Sequence, residues 1–69
     1  MIIIFYNLRK EMMRWKVTQK DIAKALKISP KSINEKINGH TEFTLSEIDL
    51  IQKTYFKDLG IEYLFKREV

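Results

Sequence analysis

The chain has 69 residues, 45% of them hydrophobic, with 13 lysines and arginines against nine acidic residues and a net charge of +4. That is enough for one small core, so a single domain is expected over residues 1–69, with little stability margin. With no cysteine and one histidine, disulfides and thiolate-bound metal are excluded, and no paired carboxylates, activated nucleophile or phosphate-cradling loop points to an enzyme.

The opening MIIIFY is too short an apolar run to span a bilayer, and it lacks the basic leader and small-residue cleavage site of a signal peptide. A cytoplasmic chain is therefore expected. Its β-branched residues allow an extended start, but no convincing strand follows. From Phe5 the apolar residues Leu8, Met12 and Trp15 recur at helical spacing and predict a first helix ending near Val17. Trp15, the Met12–Met13 pair, Tyr55, Phe56, Tyr63 and Phe65 are read as core. The tail aromatics exceed what one small core holds comfortably, which assigns some of them to a subunit contact.

TQKD then supplies a helix start: Thr18 can accept from an orphan amide while Asp21 favours the positive helix end. Ile22, Ala23 and Leu26 make the apolar face of this helix, and Lys20, Lys24 and Lys27 lie opposite. After the short connection KIS, in which Ile28 fills the angle between helices, SPKS begins the next one. Ser29 is its cap and Pro30 its first residue, where the missing N–H costs nothing. Ile33 and Ile37 point inward from this helix, and Gly39 supplies a left-handed C-cap. TLSE repeats the capping pattern at Thr44 and Glu47 for a helix carrying Ile48, Ile51 and Tyr55. A last short helix from Gly60 contains IEYLF.

Charge is unevenly placed. Residues 1–41 carry nine basic and three acidic side chains, whereas residues 42–69 carry four and six. Such segregation suits a polyanion, although lysine-rich surfaces also occur on proteins that bind none.

Two short helices joined by a tight turn, over residues 18–39, have the sequence signs of a DNA-binding helix-turn-helix. The stretches TQKDIAKALKIS, INEKING, FTLSEI and IEYLF resemble the phage-repressor and Cro type of domain, the Xre family, across residues 7–65. The resemblance implies an all-α, compact five-helix lambda-repressor-like fold. It also implies that Gln19 opens the first helix of the pair, Ala23 permits close approach, Ile33 packs between the two, and the second helix enters the major groove. The family usually has glycine where Lys27 stands. Where some repressors have a buried Arg–Glu pair, this chain has Met12 and Ile37, and such an apolar replacement is often neutral or stabilising.

If Ile33 and Ile37 face the core, a rotation of about 100° per residue puts Lys31 and Glu35 nearly opposite, with Ser32 and Asn38 on the flanks. The resemblance carries Pro30, Lys31, Ser32 and Glu35 to base-proximal positions, and Asn34 joins them. Lys31 can donate to guanine and Glu35 can accept from cytosine. The alternative is that these two form only an exposed ion pair. Gln19, Lys20, Lys36, Asn38, His40 and Thr41 are the expected phosphate contacts, although Lys20 and Lys24 also fit a merely solvated face.

The function expected is sequence-specific binding of a double-stranded DNA operator by a transcriptional regulator, a phage or prophage Cro-like repressor acting as a homodimer, formed in solution or only on the DNA. The alternative is a protein-interaction module on the same fold, as in an anti-repressor or antitoxin. No cofactor, metal, membrane or small-molecule ligand is expected, and no separate ligand-sensing or oligomerisation domain.

Overall fold

The computed structural model describes residues 5–67. These form five helices in chain order: α1 Tyr6–Arg14, α2 Gln19–Leu26, α3 Pro30–Ile37, α4 Leu45–Tyr55 and α5 Ile61–Leu64. Among the described residues there is no strand, and no helix is long and apolar enough to cross a membrane. The MIII start lies outside the described residues.

Local chemistry sets most of the boundaries. At α2 both halves of the capping box form: the Asp21 amide donates to Thr18 Oγ1 (3.1 Å) and the Thr18 amide to Asp21 Oδ2 (3.0 Å). Thr44 and Glu47 repeat it at α4, with bonds of 3.1 and 2.8 Å. At α3 the Ser32 amide donates to Ser29 Oγ (3.1 Å), and Pro30 occupies the first turn. So the lone proline starts a helix.

Three consecutive helices end alike. Past α1, α2 and α3 one residue turns left-handed: Lys16 (φ 56°), Lys27 (φ 59°) and Gly39 (φ 83°). Each allows the following amide to reach back to a carbonyl five residues earlier, Val17 to Met12 (2.8 Å), Ile28 to Ala23 (3.0 Å) and His40 to Glu35 (2.9 Å). Val17 and Ile28 then fold onto the core. The turn between α2 and α3 is thereby fixed with lysine in the left-handed place.

The core comprises Phe5, Leu8, Met12, Ile22, Ala23, Ile33, Ile37, Ile51, Phe56 and Leu64, drawn from every helix. Burying each of the larger side chains is worth about 1.5–3 kcal/mol before entropy is counted. Phe5, Phe43 and Phe65 meet edge to face with ring centroids 5.3–6.1 Å apart and seal the end where the described termini meet the α3–α4 loop.

Two expectations are corrected. Trp15 and Met13 are not core: they are 60% and 82% exposed. The chain leaves the helix after Arg14 and reverses at Lys16, so the wheel that would have carried Trp15 inward stops one residue short. Its ring lies beside the Arg14 guanidinium, and its indole N–H donates to Glu11 Oε1 at 3.1 Å. Nor are the tail aromatics surplus. Phe56 is buried, and Tyr55, Tyr63 and Phe65 pack against the core.

Glu11 is a buried acid on α1, and the Tyr63 hydroxyl donates to its Oε2 at 2.7 Å, pinning α5 to α1. That bond is the main reason its carboxyl lies below the ordinary value. Burial opposes the shift, while Trp15 and the charges of Arg14 and Lys10 assist it.

Candidate nucleic-acid interface

The outward side of α3 follows from its inward side. Ile33 and Ile37 are fully buried, which turns Lys31 and Asn34 to solvent and leaves Glu35 and Asn38 half-buried on the flanks. Pro30 is exposed at the start of the helix. Ser32 is half-buried, and its hydroxyl oxygen accepts from Ser29 Oγ at 3.0 Å. Among the described residues no ion pair joins Lys31 to Glu35 or to another acid, and the lysine projects from the first turn.

Three of the expected contact residues are connected. Asn34 Nδ2 donates to Gln19 Oε1 at 3.3 Å, and Asn38 Nδ2 donates to Asn34 Oδ1 at 3.1 Å. Arg9 Nη2 of α1 then donates to Asn38 Oδ1. The result is a polar chain, Arg9–Asn38–Asn34–Gln19, that crosses from α1 over α3 to α2. Its oxygens are used internally, while amide and guanidinium N–H groups remain to face outward. Such an array suits an acceptor-rich ligand.

Arg9 was missed by sequence reasoning. Its one signal was position: three residues before Met12, it flanks the buried stripe of α1 rather than opposing it. Its partner is 29 residues away, which no local pattern reveals.

Lys20, Lys24, Lys27 and Lys31, on α2, its C-cap and α3, are all exposed. The one acid among them in sequence, Asp21, is occupied by its cap. The Thr18 backbone N–H first, then the Thr18 hydroxyl and Lys24, hold its carboxyl below the ordinary value. His40 and Thr41 are exposed just past Gly39, and both their amides donate to the Glu35 carbonyl, at 2.9 and 3.4 Å.

Lys36 is placed differently from the rest. Its ammonium lies 3.1 Å from Glu47 Oε1, donates to the Glu42 carbonyl at 2.9 Å, and sits 5.9 Å from the Phe43 ring centroid. With only 15% of its side chain exposed, it faces α4 and away from the polar chain. Burial pushes Glu47 up, but the Thr44 amide and Lys36 outweigh it and hold the carboxyl below its ordinary value. Of the expected phosphate contacts, Gln19 and Asn38 are therefore brought together, Lys20, His40 and Thr41 remain open, and Lys36 already has its anion.

Compared with known proteins, the chain matches no family model, no curated protein and no solved structure.

Proposed function

We propose that this protein binds double-stranded DNA sequence-specifically as a lambda-repressor-like helix-turn-helix regulator of the Xre type, a Cro-like repressor, with α3 in the major groove. The observation that carries the reading is α3 itself. It is backed by two buried isoleucines, joined to α2 by a three-residue turn, and turns Lys31 and Asn34 outward beside an internally braced row of amide groups. In this reading Lys31, Asn34 and Glu35 read base edges, with Pro30 and Ser32 beside them at the helix start. Gln19, Asn38, Lys20, His40 and Thr41 hold phosphates and set register. Lys36 acts instead as a clamp between α3 and α4.

A protein-interaction module is the second reading, favoured by Met13, Trp15 and Leu45, which are 82%, 60% and 85% exposed. Selection on random duplex DNA at low salt separates the two. Enrichment of one motif supports the proposal; no enrichment, with tight capture of a protein partner, supports the alternative.

A further inference from the structure

Beside the proposed DNA face lies an open groove of about 460 Å³ between the end of α1, the start of α2 and the end of α3. Its floor is apolar, made by Met12, Val17 and Ile37, and exposed Arg9 and Lys16 stand at its edge. No carboxylate lines it among the described residues. The volume falls within the range of about 300–1,000 Å³ usual for small-molecule sites, which pair an apolar lining with a few polar groups.

We propose that this groove binds a small amphipathic carboxylate, with the apolar tail on Met12 and Ile37 and the carboxylate on Arg9 and Lys16. A neutral apolar molecule would make no use of the two cations, and an inorganic anion would leave the apolar floor wet. A guanidinium edge takes a carboxylate through two parallel N–H bonds. The sequence leads to the expectation of no small-molecule ligand, and the proposal departs from it because the floor is assembled from residues 12, 17 and 37.

The site has a consequence for the proposed DNA binding, on whose reading this half of the inference rests. Arg9 also donates to Asn38, the first link of the chain that braces Asn34 and Gln19. A carboxylate that takes Arg9 competes for that bond, frees the amide row and lowers affinity for duplex DNA.

The test uses octanoate, below its micelle concentration, with the chain free of DNA. Octanoate is expected to move the Met12 and Met13 methyl signals saturably in NMR, while octanol and acetate at equal concentration do not. Arg9→Gln, measured well below its melting transition, should weaken octanoate binding about tenfold, the loss of one charge-assisted contact. Octanol or acetate binding as well as octanoate, or no saturable shift, overturns the site. Titration of duplex DNA with and without octanoate then decides the regulatory half: reduced affinity supports it and unchanged affinity overturns it. Absence of any duplex binding overturns it together with the proposed function, while the NMR result on the site is unaffected.

Discussion

The Lys36 ammonium and the Glu47 carboxylate face each other at 3.1 Å, with 15% and 17% of their side chains exposed, and they tie α3 to α4. Glu47 serves two masters, because the same Oε1 accepts the Thr44 amide that caps α4. Lys36→Ala removes one partner from a half-buried pair and leaves the Glu42 carbonyl without its donor. It should destabilise the fold by about 1 kcal/mol. Thermal melts check this. The melts should fall while affinity for DNA, measured well below the transition, changes little.

Acid should weaken the fold through three carboxyls, Glu11, Asp21 and Glu47, all held below their ordinary values of 4.5 or 3.8. Each binds its proton less readily folded than unfolded. Their contribution is complete above the ordinary values and is lost as pH falls through the lower folded-state values. Melting temperature should stay level from neutral pH to about pH 5 and decline below that. Tyr63→Phe removes the largest cause acting on Glu11, so its carboxyl, followed by NMR, should titrate at higher pH than in the parent chain.

Lys16 and Lys27 hold the left-handed conformation that side chains resist. Replacing either by glycine should raise stability by about 0.5–1 kcal/mol, because the relief of strain exceeds the added entropy of the unfolded chain. Gly39→Ala should do the reverse by a similar amount. Denaturant midpoints for the three variants would show both signs.

What could be read from the sequence was what is local. Thr18 with Asp21, Thr44 with Glu47, and Ser29 with Ser32 each complete their bonds within three residues, so the starts of α2, α3 and α4 follow from spelling alone. The inward pair Ile33 and Ile37 gave the outward face of α3 for the same reason. Lys16 hid the end of α1, since lysine carries no turn signal, and Trp15 was misplaced as a result. Glu11, Arg9 and Lys36 escaped for another reason. Their partners Tyr63, Asn38 and Glu47 lie 52, 29 and 11 residues on and become neighbours only when the helices pack.

One recognition helix buries too little surface for strong specificity, so two copies are expected on a pseudo-palindrome with half-sites about 34 Å apart. The tail aromatics pack against the core, and Leu50 and Ile61, 42% and 39% exposed on α4 and α5, are among the exposed apolar side chains available to a second copy. Sedimentation of the chain on its selected duplex should give two copies per site and cooperative filling. One copy per site, filled without cooperativity, excludes the dimer.

The reading of α3 as the recognition helix is tested most directly by titrating the parent chain and Lys31→Ala against the selected duplex and a scrambled one, at about 50 and 200 mM salt. The parent should bind both duplexes, prefer the selected one, and lose affinity by orders of magnitude across that salt range. Lys31→Ala should lose roughly 1–3 kcal/mol on the selected duplex, little on the scrambled one, and keep the parent's melt. No duplex binding at the lower salt would contradict the proposed function. An equal loss on both duplexes, with the preference moved instead by Lys20→Ala or Lys24→Ala, would put α2 rather than α3 in the groove.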